Sequence, residues 1–410
     1  MKINKWTLAL ASVGLISLPG IVQAEEKQNN LLTSLSSTTI SGYVDTAAQW
    51  NFNTGEANLP KYTYGGAGKA DGFNLNKVKL TIEKPLDESQ WAAGYRTDLL
   101  FGPDANVFAT TSSGTASSTS DFAIQQAYVA LRAPVGNGLD FKMGVFDSVI
   151  GYESHDSVNN PNYTRSYGVG IEPHTHTGLL ASYQVSQAFS MSAGVANTFG
   201  PTINARAHPT GSAATGGPQA ESYKTYMGSI ALTAPEKWGW IGGSGLYAGV
   251  VNGFNQGAAN RTNFNQTSLY VGTTVATPVK GLKFGASYDY AAVGNQPDTA
   301  QTATYQNATA LHASFAIPDS KVTLHARGEY FTQSHGLAGA GLPLKVVAMT
   351  GTLQYDLWKN VMSRLEFRWD HQADGLGNAY GRSVTPTATN PYGGTLRNVY
   401  LLALNVVYKF

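Results

Sequence analysis

Charged side chains recur at every second position in two segments of the chain. In NKVKLTIEK, Lys77 and Lys79 alternate with apolar residues, and SRLEFRWD repeats that pattern with Arg364, Glu366 and Arg368. Residues two apart in a β-strand point to the same side of the sheet, and ionised groups that face inward need water or a partner. The chemistry open to these groups is therefore electrostatic: they could hold water and guide ions or polar solutes.

The same alternation in other segments predicts a wet interior face that carries both signs of charge. A slight excess of basic groups on that face predicts weak ion selectivity with a mild preference for anions. The alternative is that the charges pair with one another and stiffen the wall. The residues predicted to line the interior are Lys77, Lys79, Arg96, Asp98, Lys142, Arg327, Glu329, Arg364, Glu366 and Arg368.

Two histidines offer a second kind of chemistry. His174 and His176 are two positions apart, so their imidazoles would share one face of a strand, with Glu172 as a third ligand for zinc or copper. A fourth ligand is not evident, and histidines in loops are usually solvated. His174 and His176 are therefore weak candidates only, and the sequence predicts no bound metal and no cofactor.

The stretches that resemble catalytic motifs lack residues or spacings that those motifs require. The stretch GGAGKAD at 65–71 lacks the hydroxyl residue and the spacing of a phosphate-binding loop. GGSGL around Ser244 lacks the second glycine of a nucleophile elbow. A lipase embedded in a barrel would need a serine and a histidine on the outward face. The alternation places His312 and His325 on the interior face, so neither could serve such a serine. The sequence predicts no catalytic residues and no enzyme.

Composition narrows the class of protein. Of 410 residues, 42% are hydrophobic and 13% are charged, about half the charge of an ordinary soluble domain. Beyond the first twenty or so residues, no apolar run reaches the length of about 18 that a membrane helix requires. The net charge of +1 gives no indication of nucleic-acid binding. The absence of cysteine excludes disulfide scaffolds, thiol catalysis and cysteine-based zinc sites.

The first residues have the pattern of a secretory signal. Lys2 and Lys5 precede an apolar stretch, which ends in the small-residue motif Val22-Gln23-Ala24. We therefore expect 1–24 to be a cleaved signal peptide, 25–37 to be a periplasmic lead-in and 38–410 to form the folded domain.

The dominant period along that domain is two, which predicts an all-β protein. The count of alternating segments is about sixteen. We predict strands at 40–50, 72–84, 90–101, 121–133, 139–147, 175–185, 188–198, 223–234, 244–254, 265–277, 281–291, 304–317, 320–332, 344–356, 359–371 and 397–410.

The connections between these segments alternate in length. Tight connections such as PVGNG and TPVKG follow even-numbered strands, whereas long polar loops follow odd-numbered ones. The connection APEKWGWIGGS at 234–244 is longer but also follows an even-numbered strand. This layout is typical of a transmembrane antiparallel up-and-down β-barrel of the outer membrane, with short periplasmic turns and both termini periplasmic. Because every backbone polar group must be bonded inside a membrane, the last strand, YLLALNVVYKF, is expected to pair with the first.

Several segments of the first half resemble a known family. ISGYVDTAAQWNFNTG, FNLNKVKLTIEKPLDESQWAAGYRTDLLFGPDA, IQQAYVALRAPVGNGLDFKMGVFDSVIGYES and NPNYTRSYG are similar to the OmpL-like β-barrel porins (porin-2 type) of bacterial outer membranes. The likeness covers about 38–185. It implies a porin, embedded in the bacterial outer membrane as a multi-pass barrel, but does not identify its solute.

The resemblance also gives a role to the connection at 148–174, the longest one predicted. In general diffusion porins the loop in this position folds inward and narrows the channel, and the resemblance implies the same here. Its candidate constriction residues are Glu153, His155, Asp156 and Arg165.

Two functions of different classes remain open. The first is a water-filled channel for passive diffusion of small hydrophilic solutes and ions; the second is a structural or adhesive barrel with a closed lumen, whose outer loops bind a partner or a surface layer. The expected partners are outer-membrane lipid, lipopolysaccharide and the barrel assembly machinery, which the terminal Phe410 would engage. Many sixteen-strand porins are trimers, so a homotrimer is among the assemblies that the resemblance allows.

Overall fold

Sixteen antiparallel strands close into one barrel. The computed structural model describes residues 37–52, 57–60, 69–108, 110, 121–207, 222–254, 265–294, 303–339 and 341–410. The expected signal peptide and nearly all of the lead-in lie outside these residues. The strands are β1 (Thr39–Phe52), β2 (Gly72–Lys84), β3 (Ala92–Phe101), β4 (Phe122–Ala133), β5 (Leu139–Asp147), β6 (Thr175–Gln184), β7 (Phe189–Ala196), β8 (Thr225–Thr233), β9 (Gly245–Phe254), β10 (Asn265–Ala276), β11 (Leu282–Val293), β12 (Thr304–Ala316), β13 (Val322–Gln333), β14 (Lys345–Trp358), β15 (Val361–Gln372) and β16 (Asn398–Lys409).

The barrel is sealed between its first and last strands, as predicted. β1 and β16 pair in a register that sets Tyr43 opposite Lys409 and Phe52 opposite Tyr400. The seam continues one residue further, because Gly42 and Phe410 exchange two backbone hydrogen bonds of 3.0 Å. Closure leaves no strand of the barrel with an unpaired edge.

Side chains alternate across the wall as the sequence pattern predicts. Leu365, Phe367 and Leu404 are exposed on the outside of the barrel, whereas Lys79 and Arg368 are buried within it. Large apolar residues on the outer side and polar residues on the inner side are the distribution that a barrel needs when hydrocarbon surrounds it.

The connections follow the predicted alternation, with one correction of length. The shortest connections follow even-numbered strands, although the connection 234–244 after β8 is at least as long as 255–264, 294–303 and 334–344, which follow odd-numbered strands. The start of β1 and the end of β16 lie at the end of the barrel that carries the short turns. The connection 197–224 is slightly longer than 148–174, because β7 ends and β8 begins inside their predicted bounds. A four-residue helix, α1 (Ala105–Phe108), follows β3, and the described chain contains no helix long and apolar enough to cross a membrane.

Two bulges interrupt the alternation beside the charged interior. The register of β1 with β2 shifts between Asp45 and Thr46, and that of β3 with β4 shifts between Asp98 and Leu99. A bulge places two successive residues of one strand opposite one residue of its partner.

Candidate functional site: the barrel interior and its inserted loop

The interior charges lie where the alternation predicts. Nine of the ten predicted residues are almost fully buried inside the barrel: Lys77, Lys79, Arg96, Asp98, Arg327, Glu329, Arg364, Glu366 and Arg368. The tenth, Lys142, is only partly buried, and its Nζ lies 4.8 Å from the centre of the Tyr128 ring. These nine side chains lie inside the barrel, and their role in lining a channel stays a prediction.

One group of these charges forms ion pairs along β13 and β15. Arg327 pairs with Glu329 two residues away on the same face of β13. Arg368 Nε lies 2.9 Å from Asp370 Oδ2, and Arg368 Nη2 lies 3.6 Å from Glu329 Oε2. The pairing anticipated as an alternative to free wall charges is thus present here.

A second group lies on β2 and β3. Lys79 Nζ is 3.0 Å from Asp98 Oδ2, and Arg96 Nε is 3.0 Å from the same oxygen. Arg96 also reaches Glu83 on β2, at 3.1 Å. Asp98 accepts further hydrogen bonds from Thr81 Oγ1 and from Gln126 Nε2, so its buried charge is fully compensated.

The connection 148–174, called the inserted loop below, lies inside the barrel against both groups. Asp156 Oδ1 and Oδ2 are 2.8 and 2.9 Å from Lys79 Nζ. Glu153 Oε1 is 2.6 Å from Arg327 Nη1. Two acidic residues of the loop thus bind basic residues of two separate parts of the wall.

The backbone of the inserted loop is also held by wall side chains. Arg364 Nη1 lies 3.0, 2.9 and 3.1 Å from the carbonyl oxygens of Ser157, Asn160 and Asn162. Glu366 accepts hydrogen bonds from the backbone N–H groups of Tyr163 and Thr164, at 2.6 and 2.8 Å. Hydrogen bonds to charged groups are stronger than neutral ones, so these contacts fix the path of the loop.

The ionisation of the two loop acids follows from these contacts. Burial is the largest single influence on the pKa of Glu153 and would raise it, but Arg327, His312, Arg165 and the N–H of Ser166 together outweigh burial, and the pKa falls to about 2. Burial likewise opposes ionisation of Asp156, but Lys79, Lys77 and Arg96 together outweigh it and lower its pKa. Both carboxyl groups are therefore ionised at neutral pH.

The other two candidate constriction residues each accept a hydrogen bond from the wall through their backbone carbonyl oxygens. The carbonyl oxygen of His155 accepts a hydrogen bond of 2.7 Å from Lys77 Nζ. The carbonyl oxygen of Arg165 accepts one of 2.7 Å from Arg368 Nη1. Burial lowers the pKa of the His155 imidazole well below 6.5, so this ring is neutral and adds no charge to the interior.

The two histidines considered for metal binding face different neighbours. The His174 ring stacks on His155, with 4.8 Å between the ring centres, while His176 Nε2 lies 3.3 Å from Ser148 Oγ. Within the described ranges, no group of three or more His, Cys, Asp or Glu side chains could hold a metal ion.

The interior also contains residues that the sequence pattern missed. Because of the bulges, Asn76 is buried next to Lys77, and Gln125 is buried next to Gln126. A strict period of two cannot predict two inward neighbours, so the alternation gave no signal for either residue.

Part of the interior is apolar, which corrects the expectation of a face that is wet all round. Phe146, Leu180, Met227 and Val251 of the wall form a buried cluster with Ile150 of the inserted loop. The loop therefore packs on apolar residues on one side of the barrel and on charges on the other.

Comparisons with known proteins agree with this architecture. The family described as "Putative beta-barrel porin-2, OmpL-like" matches residues 37–410, which extends the similarity well beyond the segments at 38–185. Among curated proteins, none matches the sequence.

Solved structures share the fold at low sequence identity. An anion-selective porin from Comamonas acidovorans is 11% identical with a TM-score of 0.58, and the match covers 91% of this chain and 99% of that chain. The outer membrane channel DcaP of Acinetobacter baumannii is 13% identical with a TM-score of 0.56, covering 91% and 97%. Salmonella typhi OmpF, in complex with daunomycin, is 11% identical with a TM-score of 0.55, also covering 91% and 97%. At these identities the likeness establishes the barrel fold alone.

Proposed function

Since the chain belongs to the family described as "Putative beta-barrel porin-2, OmpL-like", we propose that it forms a water-filled channel through which small hydrophilic solutes and ions diffuse passively. Membership of that family and the porin-type barrel imply the bacterial outer membrane, which the chain crosses with its strands. The short turns and both termini then lie on the periplasmic side. The observation that carries the proposal is the closed sixteen-strand barrel with charged side chains on its inner face. A barrel of this size is too wide for its own wall side chains to fill.

We propose further that the inserted loop sets the narrowest part of the passage. Its acids Glu153 and Asp156 are held by Arg327 and Lys79, so its position is fixed by opposite charge rather than by chance packing. Solutes would pass beside this loop, whose acids are paired with bases of the wall. Paired charges hold water and orient dipoles but attract neither sign strongly, which supports weak ion selectivity.

Single-channel conductance in planar bilayers tests the proposal. Shortening the inserted loop between Ser154 and Gly168 should raise the conductance, because the loop would no longer occupy the lumen. A matched variant that shortens the exposed tip 383–388 of the connection between β15 and β16 controls for loop length itself. Equal conductance in both variants would show that the inserted loop does not limit flow.

A second candidate function is favoured by one observation. Side chains at the level of the inserted loop, such as Lys77 and Arg364, are 0% exposed. Ala379, Tyr380 and Tyr392 of the long connection 373–397 form a second buried cluster with Leu59 and Val399. A barrel closed in this way could serve as a structural or adhesive scaffold whose outer loops bind a partner or a surface layer. Native protein without steady openings, whose loop-shortened variant conducts, would favour this second function.

The partners that we propose follow from the surfaces of the barrel. Its exposed outer apolar side chains fit outer-membrane lipid, and its long connections fit lipopolysaccharide. The terminal strand with Phe410 fits recognition by the barrel assembly machinery. A homotrimer is consistent with a porin barrel, and crosslinking in native membranes would test it.

A further inference from the structure

The last part of the inserted loop touches the wall through two carboxyl groups. Glu172 belongs to the segment Gly168–His174, called the return limb below, and Asp289 belongs to β11. Glu172 is 8% exposed and Asp289 is 3% exposed, and their carboxyl groups lie within hydrogen-bond reach of one another. Two carboxylates can approach so closely only when a proton or another cation lies between them.

This pair differs from every other loop-to-wall contact of the interior. Glu153 and Asp156 each face a basic side chain, whereas neither Glu172 nor Asp289 has a Lys or Arg ion-pair partner in the described part of the chain. The titratable groups that face the pair are Glu153 of the same loop and Tyr270 of β10. None of them supplies positive charge.

The surroundings leave little room for water between the carboxyl groups and their neighbours. A Cβ atom on Gly151 would lie 2.6 Å from Glu172 Oε2, and one on Gly168 would collide with Asp289 Oδ2. Asp289 Oδ1 is buried and has no hydrogen-bond partner among the described residues. An unsolvated negative charge on both residues would therefore be strongly unfavourable.

A cavity of about 260 Å³ adjoins the pair on the wall side of the return limb. It is lined by Glu172 and His174 of the limb, by Gln266 and Ser268 of β10, by Ala291, Ala292 and Val293 of β11 and by Gln306 of β12. The limb folds back on itself through hydrogen bonds from Gly170 N to Tyr167 O and from Ile171 N to Gly168 O. Tyr167, whose hydroxyl is 2.8 Å from Asp370, anchors one end of the limb, and a hydrogen bond of 2.9 Å from Ser148 N to the carbonyl oxygen of His174 anchors the other, so that movement is confined to the residues between them.

We propose that Glu172 and Asp289 form a latch that a shared proton closes. With one proton between them, the two carboxyl groups hold the return limb against β11. When the proton leaves, both groups are negative and repel each other. The limb then moves away from β11 and changes the width of the passage, and the adjoining cavity admits water to the separated carboxylates. The effect on the passage rests on the proposed channel function, whereas the movement of the limb does not.

The direction of the pH response follows from burial. Burial and the neighbouring Asp289 carboxyl raise the pKa of Glu172 well above 4.5. An acid with a raised pKa stabilises the latched state fully below its ordinary value, and this stabilisation is lost as the pH rises through the raised value. The latch is therefore closed in acid and opens toward alkaline pH. The nearby His174 imidazole does not reverse this, because burial lowers its pKa to about 4 and keeps it neutral throughout that range.

Cysteine labelling tests the movement without requiring conduction. The chain contains no cysteine, and Val169 in the return limb is 1% exposed, so V169C gives a single thiol that is reachable only when the limb leaves the wall. The rate of maleimide labelling of V169C is divided by that of V169C/E172Q at each pH, which cancels the thiol's own titration. We expect this ratio to rise about tenfold per pH unit once the shared proton begins to leave.

Three variants distinguish the latch from other causes of pH-dependent labelling. In E172Q the amide donates to the Asp289 carboxylate without needing a proton, so the limb stays in place at all pH values; D289N should behave alike. E83Q changes a carboxyl group that pairs with Arg96 on the far wall and should leave the pH dependence of V169C intact. A ratio of labelling rates that does not change with pH would overturn the proposal. Labelling of V169C that changes on addition of Ca²⁺ or a chelator at fixed pH would also overturn it, because a metal ion rather than a proton would then close the contact.

Conductance links the latch to the passage. The wild-type conductance should change between about pH 5 and about pH 9 and that of E172Q should not. If V169C labelling follows the expected course while no variant conducts, the latch stands and the proposed channel function fails.

Discussion

Lys79 lies between two acids, with its Nζ 3.0 Å from Asp98 on β3 and 2.8 Å from Asp156 of the inserted loop. One buried ammonium group therefore joins the loop to the wall. Because both acids depend on it, its removal leaves two buried carboxylates with less compensation.

We expect Lys79→Met to destabilise the barrel. Breaking one partner of a buried ion pair costs about 3–5 kcal/mol, measured as the free energy of unfolding in lipid vesicles. Arg132→Met is the matched control, because Arg132 and Asp140 form a pair whose side chains are 28% and 31% exposed, and such pairs contribute about 1 kcal/mol or less. Similar losses in both variants would show that the loop contact adds nothing.

Arg364→Lys should loosen the middle of the inserted loop. The guanidinium of Arg364 binds Asn405 Oδ1 at 2.6 and 2.9 Å and reaches three loop carbonyl oxygens at the same time. A lysine ammonium is a point charge and cannot span both sets of acceptors.

Limited proteolysis of the folded barrel measures this loosening as faster cleavage between Ser157 and Thr164. Arg382→Lys, in an exposed outer connection, should leave the cleavage rate unchanged. Resistance equal to that of the wild type would mean that the acids alone hold the loop.

Gly42→Ala should impair closure of the barrel. A Cβ atom at Gly42 would collide with the carbonyl oxygen of Lys79 and lie 2.6 Å from Phe410 Cζ. We expect a smaller fraction of chains to reach the heat-modifiable folded form in detergent. Gly351→Ala is the control, because a Cβ atom there meets nothing within 4 Å, and its folded fraction should match the wild type.

Acid should release the first part of the inserted loop. The pKa of Glu153 is lowered from 4.5 to about 2, so the stabilisation from its ion pair is full above 4.5 and is lost as the pH falls toward 2. Cleavage of the loop by an acid protease should therefore increase across that window. In E153Q, which has no charge to lose at this position, the increase should be smaller; an identical increase would exclude Glu153 as its source.

The strands of the barrel wall could be predicted from the sequence, because the alternation of apolar and polar side chains is a local pattern. The period of two in NKVKLTIEK fixed β2 at 72–84, as observed, and placed Lys77 and Lys79 inside. We predicted that β15 ends at residue 371, one residue before its observed end at Gln372, because the frayed ends of strands carry no periodic signal. The paired bulges were not predictable, since Asn76 and Gln125 have no local mark that sets them apart from ordinary strand residues.

The contacts of the inserted loop could not be derived in the same way. Asp156 is 77 residues from Lys79 in sequence, and Glu153 is 174 residues from Arg327. The resemblance indicated an inward loop, but which acid meets which base depends on the path of the whole connection. The contact of Glu172 with Asp289 was least predictable, because two like charges give no reason to expect a neighbour.

The seam between β1 and β16 also bears on how the protein is made. Each strand neighbours the one before and after it in sequence, except at this seam, where Asp45 and Asn405 meet across 360 residues. Successive hairpins can form while the chain is still being delivered, but the cylinder can be completed only after the final strand arrives. Damage to this strand should therefore appear as a delay in biogenesis and as a larger pool of unfinished chains exposed to periplasmic proteases, even where the finished molecules work normally.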